Sequence, residues 1–133
     1  MKRIQLLIPL LAIIAVGCAG SRSNTSSGSG GTIAATVQMT GSHTFNPVNV
    51  TVAAGSTVQW QNTDTARHTV TSDTNVSALN SEQDGLPAGT TFNFTVPAGT
   101  ASGTVFYYHC AFHGTAGNGT SLGSGMAGSV TVQ

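Results

Sequence analysis

The run Tyr-Tyr-His-Cys-Ala-Phe-His occupies residues 107–113, and Gly-Met-Ala-Gly-Ser-Val-Thr-Val follows at residues 125–132. These segments hold a thiolate donor at Cys110, an imidazole at His113 and a thioether at Met126, and a further histidine, His68, lies in a strand-like segment upstream. Two imidazoles and a thiolate in a trigonal arrangement, with a weak axial thioether, suit a copper ion that cycles between two oxidation states. The four residues are therefore the candidate ligands of a blue-copper site.

Hydrophobic residues alternate with polar or small ones through much of the chain after residue 32, and this period of two predicts half-buried strands. The alternating positions are Ile33, Ala35, Val37, Met39, Val48, Val50, Val52, Val58, Trp60, Phe92, Phe94 and Val96. Turn-forming sequences separate the runs at residues 46–47, 54–55, 87–89 and 97–99. Residues 72–89 lack the alternation and predict a long connection with a helical turn around residues 77–81. Short strands at this spacing predict an all-β fold, a Greek-key sandwich of two antiparallel sheets.

The same periodicity predicts where the candidate ligands point. Cys110 shares a strand face with Tyr108, an aromatic residue that indicates the core side. His68 and Met126 also lie on rows of core-facing positions. His113 is expected beyond the end of its strand, in a turn that folds back over the same metal. All four donors are therefore expected to meet at one pole of the sandwich.

The cysteine count bears on the role of Cys110, because the chain contains only one other cysteine, Cys18. If Cys18 carries a lipid, Cys110 has no disulfide partner in an oxidising, exported compartment. Metal ligation explains a thiol kept reduced there. A buried thiol that acts as a small hydrophobic side chain is the alternative. The spacing to His113 favours the ligand.

The N-terminus reads as an export signal followed by a tether. Lys2 and Arg3 precede a nearly unbroken apolar run, so residues 1–17 are predicted to be a signal peptide. Ala-Val-Gly-Cys at residues 15–18 resembles a bacterial lipobox, although alanine replaces the usual leucine at its first position. We therefore expect a lipid anchor on Cys18; an ordinary cleavable signal and a transmembrane anchor are the alternatives, and the run is shorter than the roughly 20 residues that a spanning helix needs.

Residues 20–32 are almost purely glycine, serine and small polar residues, so residues 18–32 are predicted to be a flexible linker that carries the lipid anchor. Residues 33–133 are then a single domain, consistent with a chain of 133 residues. The expected location is the periplasm or another extracytoplasmic membrane face of a bacterium.

The chain resembles the cupredoxins, in particular the plastocyanin-like blue copper proteins. Residues 45–62 are similar to the second and third strands of that family, and residues 68–70 to the strand that carries its first histidine. Residues 108–113 and 125–132 resemble its ligand loop and last strand. The resemblance covers about two thirds of the chain and implies one type 1 copper ion in a cupredoxin-like sandwich.

By this resemblance His68, Cys110 and His113 would be the equatorial ligands and Met126 the axial one. The segment between the last two, residues 114–125, is longer and richer in glycine than the corresponding linker of plastocyanin. Because the cost of loop closure grows slowly with length, Met126 can still return to the metal. Without Met126 the site would be three-coordinate, or would take a backbone oxygen or water.

The function that these features predict is one-electron transfer between redox partner proteins, by a monomer that is not an enzyme. The family resemblance implies that electrons pass at the ring edge of His113, within an apolar surface formed partly by Ala111, Phe112 and the glycine-rich loop after His113. After the signal two arginines stand against four acidic residues, a net charge of about −2, which disfavours nucleic-acid binding. The other histidines, His43 and His109, are expected at the surface and outside the site.

Two other functional classes remain open. A copper-binding or delivery protein would use the same donors without redox turnover, although such proteins commonly contain methionine- or histidine-rich tracts, and only Met39 and Met126 follow the signal here. A copper enzyme such as a nitrite reductase would need a second metal site and usually a second domain. Reversible electron exchange distinguishes a carrier from the first class, and substrate turnover from the second.

Overall fold

The structure, a computed structural model, describes residues 32–133. The predicted signal peptide (residues 1–17) and all but the last residue of the predicted linker (residues 18–32) lie outside the described residues. Within residues 32–133, no helix has the length and hydrophobicity that crossing a bilayer requires. The described elements are β1 (Ile33–Thr40), β2 (Thr44–Asn46), β3 (Asn49–Val52), β4 (Thr57–Asn62), β5 (Thr71–Ser72), a 3-10 helix (Ser77–Leu79), β6 (Thr91–Thr95), β7 (Val105–Thr115) and β8 (Ser124–Val132).

The strands form two four-stranded sheets, in the orders β2-β1-β4-β6 and β3-β8-β7-β5. The predicted all-β, two-sheet sandwich is confirmed. Each sheet is mixed where the sequence predicted antiparallel pairing throughout: β1 pairs with β4, and β3 with β8, in parallel. The remaining pairs are antiparallel.

The parallel pairs arise because the chain changes sheets between β2 and β3. β2 returns antiparallel to β1, and the chain then crosses at Pro47 into the second sheet as β3. A turn at Gly55 reverses it, with the amide of Ser56 donating to the carbonyl of Ala53 at 3.2 Å. After two reversals β4 rejoins the first sheet in the direction of β1.

The core lies between the two sheets and follows the predicted alternation. Val50 and Val52 are buried on β3 while the residues between them face solvent. Aromatic side chains fill the centre: Tyr108 meets the ring of Trp60 edge-on at a centroid distance of 5.1 Å. Burial of each large apolar side chain stabilises the fold by about 1.5–3 kcal/mol. Ile33, at the start of β1, and Val48, just before β3, are exposed, contrary to the alternation.

The long connection predicted for residues 72–89 is confirmed, and the 3-10 helix supplies the expected helical turn. Leu79 from this helix is completely buried. An isolated antiparallel bridge pairs Leu86, near the end of this connection, with His68, which precedes it. This bridge positions the first candidate ligand.

Candidate metal centre

Three of the four candidate ligands converge. One donor atom each from His68, Cys110 and His113 lies within 4.8 Å of the others. The sulfur of Cys110 is 3.7 Å from Nδ1 of His68 and 3.5 Å from Nδ1 of His113. His68 and Cys110 are completely buried, and His113 is half-buried.

The donor separations fit a trigonal metal ion. With metal bonds of about 2.0–2.1 Å to imidazole nitrogen and about 2.3 Å to thiolate sulfur, nitrogen and sulfur at 120° would lie about 3.8 Å apart. The observed separations of 3.7 and 3.5 Å are close to that value. One thiolate and two imidazoles in a trigonal set are the donors of a blue-copper site. The chemistry of the residues therefore fits copper.

Three groups of His68 make hydrogen bonds: the backbone amide, the backbone carbonyl and the ring. Its amide donates to the carbonyl of Leu86 at 3.4 Å, and the amide of Leu86 donates back to the carbonyl of His68 at 2.7 Å. Nε2 of the ring lies 2.9 Å from Oδ2 of Asp64. This contact leaves Nδ1 directed at Cys110. The His68 ring is thereby presented to the metal through one defined nitrogen.

Asp64 is a site residue that the sequence analysis missed. The hydrogen bond from His68 is the main cause that holds the pKa of the Asp64 carboxyl below its ordinary value, and backbone amides add to it. The sequence contained one sign of this contact, a carboxylate four residues before a candidate histidine ligand. It is a weak signal, because the four-residue spacing creates this contact only if the intervening chain forms a compact loop.

Thr69 secures Cys110, and it too was missed. The amide of Thr69 lies 3.3 Å from the Cys110 sulfur, to which it donates. Its hydroxyl oxygen accepts from the amide of Ala111 at 2.7 Å. The first bond stabilises negative charge on the sulfur, as hydrogen bonds to ionised groups do. Thr69 therefore joins the strand that follows His68 to the strand that carries the thiol.

Cys110 and His113 lie in a wide bulge of β7. His109 of β7 pairs with Ala127 of β8, and Gly114 pairs with Gly125, with a register shift between the two pairs. Four residues of β7, numbers 110–113, thus stand opposite a single residue of β8. Bulges bend a strand and redirect its side chains. The prediction that His113 lies in a turn beyond its strand is wrong, since β7 continues through it to Thr115.

The single residue of β8 opposite the bulge is Met126, and it is completely buried. A Cβ on Gly114 would lie only 2.5 Å from the Met126 carbonyl oxygen, so the two strands are in close contact here. Gly125 has a positive φ of 68°, a conformation that favours glycine. The structure therefore places Met126 beside the segment that carries Cys110 and His113. Its role as axial ligand stays a prediction.

His43 is exposed, as expected, but it contacts the site. Its ring stacks on that of His113 with centroids 4.0 Å apart and planes 18° from parallel. The φ of His43 is 55°, in the left-handed region that few side chains other than asparagine, aspartate and histidine adopt. Sequence alone does not predict this turn conformation. The stack covers one face of the most exposed candidate ligand.

His109 lies outside the three-residue cluster, as expected, but it is not a surface imidazole. Its side chain is only 13% exposed, and its Nδ1 is hydrogen-bonded to the completely buried carboxylate of Asp73. The other oxygen of Asp73 accepts from the amide of Gly117 at 2.8 Å. Asp73 therefore ties the glycine-rich loop between β7 and β8 to the strand that bears Cys110.

The surroundings of His113 disfavour its protonated form. Partial burial is the main cause that lowers the pKa of the His113 ring, and the nearby rings of His43 and His68 lower it further. The carboxylate of Asp64 acts in the opposite direction. Neutral imidazole is the form that binds metals, so these surroundings favour ligation.

An apolar surface adjoins His113. Phe112 is 50% exposed, and its ring lies 6.2 Å from that of His113. Ala111 is exposed as well. Two of the residues predicted beside the ring of His113 are thus exposed, and their use as a contact surface stays a prediction.

Comparison with known proteins supports the fold. No protein-family model and no curated protein matches the chain. The oxidised plastocyanin of Dryopteris crassirhizoma matches with a TM-score of 0.55 at 18% identity, over 74% of this chain and 99% of that one. The reduced state of an amicyanin variant matches with a TM-score of 0.54 at 21% identity, over 77% and 83% of the two chains. The fold is that of the cupredoxins.

The copper-containing nitrite reductase of Thermus scotoductus also matches, with a TM-score of 0.54 at 21% identity. The match covers 74% of this chain but only 22% of the reductase. The cupredoxin fold of residues 32–133 therefore corresponds to one part of that larger protein. At these identities the likeness establishes the fold.

Proposed function

We propose that the protein is a type 1 copper protein that carries single electrons between redox partners outside the cytoplasm. The observation that carries this proposal is the convergence of His68, Cys110 and His113, whose donor atoms lie within 4.8 Å of one another. The cupredoxin fold supports it. When bound, copper would supply the one-electron chemistry, with Met126 as the expected axial ligand.

The residues around the ligands favour transfer with little rearrangement. Asp64 fixes the ring of His68, and Thr69 holds Cys110 through its amide. Each of these contacts comes from a group that is not itself a candidate ligand, so it restrains a donor independently of the metal bonds. A site held in this way resists changes of ligand geometry, which is the property that an electron carrier needs.

Electrons would pass at the edge of the site that carries His113. This ring is the most exposed of the three in the cluster, and the apolar side chain of Phe112 lies beside it. With two arginines against four acids after the signal, the net charge of about −2 provides little electrostatic steering. We therefore expect partners to dock through apolar contact, with weak dependence on salt.

The proposed location is the extracytoplasmic face of a bacterial membrane, with the protein as a monomer anchored through a lipid on Cys18. The motif at residues 15–18 and the glycine- and serine-rich linker after it support this proposal. Mass spectrometry of detergent-extracted protein tests it. A mass increase by acyl chains that is lost in Cys18→Ala is expected, and an unmodified N-terminus would contradict it.

The visible absorption spectrum after addition of Cu(II) tests the metal site. We expect residues 32–133, which contain both sheets, to give an intense blue band that Cys110→Ser abolishes. Glu82→Gln, at an exposed carboxylate that is not one of the candidate ligands, is the control and should keep the band. A faint copper band that is the same in all three proteins would refute thiolate ligation.

Voltammetry then separates electron transfer from copper handling. A reversible one-electron couple with rapid self-exchange supports the carrier. Copper that binds tightly but gives no reversible couple would instead indicate storage or delivery. The absence of substrate turnover by the loaded protein would distinguish both from an enzyme.

A further inference from the structure

The two histidines of the cluster are supported differently. Nε2 of His68 lies 2.9 Å from a carboxylate oxygen of Asp64. Among the described residues His113 has no such hydrogen bond, and its ring is supported by the stack on His43. One histidine ligand is therefore in contact with a carboxylate, and the other with an imidazole ring.

The carboxylate of Asp64 is itself fixed. Oδ1 accepts from the amide of Thr65 at 2.6 Å, which leaves Oδ2 for His68. The amide of Asp64 donates to Oδ1 of Asn62 at 2.9 Å. Asn62 is completely buried, and its Nδ2 donates to the backbone carbonyl of Leu86, the bridge partner of His68. A buried amide thus connects both supports of His68.

No cation neutralises this carboxylate within the described residues. Arg67 is the one lysine or arginine in residues 32–133, and its guanidinium donates to the backbone carbonyls of Asp84 and Gly85. The side chain of Asp64 is only 12% exposed, which limits screening by water. The carboxylate therefore lies next to the ring of His68 with its charge not offset by a lysine or arginine of the described residues.

We propose that Asp64 is a positioning residue that fixes the His68 tautomer and lowers the reduction potential of the bound copper. This inference rests on the proposed function, because it concerns the same site. A carboxylate that accepts from Nε2–H leaves Nδ1 unprotonated and makes it a more basic ligand. The negative charge stabilises the more highly charged Cu(II) state relative to Cu(I), and this lowers the potential.

Two substitutions separate charge from positioning. Asp64→Asn removes the charge and keeps one oxygen that can accept from His68. Asp64→Leu removes both. Glu82→Gln is the matched control, because it removes an exposed carboxylate that makes no contact with a ligand. All variants are made in the full chain in detergent, and circular dichroism checks their fold.

Voltammetry of the copper-loaded proteins gives the first readout. The potential of Asp64→Asn should rise above that of the wild type with the blue band retained, and Glu82→Gln should leave the potential unchanged. Asp64→Leu should also weaken Cu(II) binding by about 10–100-fold, the usual loss when a partner of a metal-bound histidine is removed. A potential for Asp64→Asn equal to that of Glu82→Gln would overturn the inference.

Nitrogen NMR of the metal-free protein gives a second readout that needs no copper. His68 should be in the Nε2–H form in the wild type and should become a mixture of tautomers in Asp64→Leu. An unchanged tautomer in that variant would contradict the positioning role. A wild type without a blue band would refute the proposed function. A blue wild type whose reduction potential is unchanged by Asp64→Asn would refute only the inference about Asp64.

Discussion

Replacing Gly114 by alanine adds a methyl group where β7 and β8 are in close contact beside the candidate metal centre. The added Cβ would lie 2.5 Å from the carbonyl oxygen of Met126, 3.0 Å from its carbonyl carbon and 3.1 Å from its nitrogen. Ordinary van der Waals contact begins at 3.4 Å, so relief of the shortest contact requires the strands to separate by about 0.9 Å, the difference between 3.4 and 2.5 Å.

The loss of stability in Gly114→Ala can be estimated from the backbone atoms that form this contact. The atoms of Met126 that clash with the methyl group are backbone atoms, so no side-chain rotation relieves the clash. A separation of this size would lengthen a cross-strand hydrogen bond of about 2.9 Å to about 3.8 Å, beyond hydrogen-bonding distance. Each lost bond costs about 1 kcal/mol, and overpacking costs about 1–3 kcal/mol. We expect the free energy of unfolding to fall by about 2 kcal/mol.

Urea unfolding of the metal-free protein measures this loss, with the fluorescence of Trp60, the one tryptophan, as the signal. Gly99→Ala is the control: a Cβ there meets nothing within 4 Å, and its φ lies outside the left-handed region. The control should be neutral or more stable by about 0.4–1 kcal/mol. If Gly114→Ala unfolds at the same urea concentration as Gly99→Ala, the argument from strand contact is refuted.

Two further predictions concern the support of the ligands. Thr69→Val removes the hydroxyl that accepts from the Ala111 amide but keeps the backbone amide that donates to Cys110. We expect urea unfolding to show a free energy of unfolding lower by about 1–2 kcal/mol, with the blue band of the copper-loaded protein retained. An unchanged free energy of unfolding would contradict this. Because the pKa of His113 is lowered in the folded state, the unfolded chain binds its proton first, so the metal-free protein should lose stability as the pH falls from about 6.5 to the folded pKa. The loss should be smaller in His43→Phe, which keeps a stacked ring without its charge, and an identical pH profile would count against this explanation.

The sequence could predict the sandwich because a period of two encodes which face of a strand is buried. Val50 and Val52 on β3, and Tyr108 and Cys110 on β7, are buried as the alternation requires. The parallel pairing of strands could not be predicted from the sequence, because it depends on the crossing at Pro47 between β2 and β3. No local pattern records which sheet the next strand will join.

The candidate ligands could be named from the sequence because few kinds of site use a cysteine, two histidines and a methionine in this order. Three of the four meet in the structure. The bulge that brings Cys110 and His113 together was not predictable in the same way, because Ala111 and Phe112 are both exposed and interrupt the alternation. The contacts of Asp64 and His43 depend on loop conformations. The positive φ of His43 has no signature in the sequence, and proximity to His113 could be seen only in the folded chain.

The place of His68 in the fold has a consequence for chain topology. His68 belongs to the connection between β4 and β6, whose strand pairing with β7 is confined to the two residues of β5, and it lies 42 residues before Cys110. A metal bound to both would act as a cross-link that closes a loop of that length. For a covalent bridge such a closure removes about 4 kcal/mol of entropy from the unfolded chain. Cys110 is the one cysteine of the described residues, so a bound copper ion would cross-link this domain as a disulfide cross-links many small secreted domains, and a chelator would remove the cross-link.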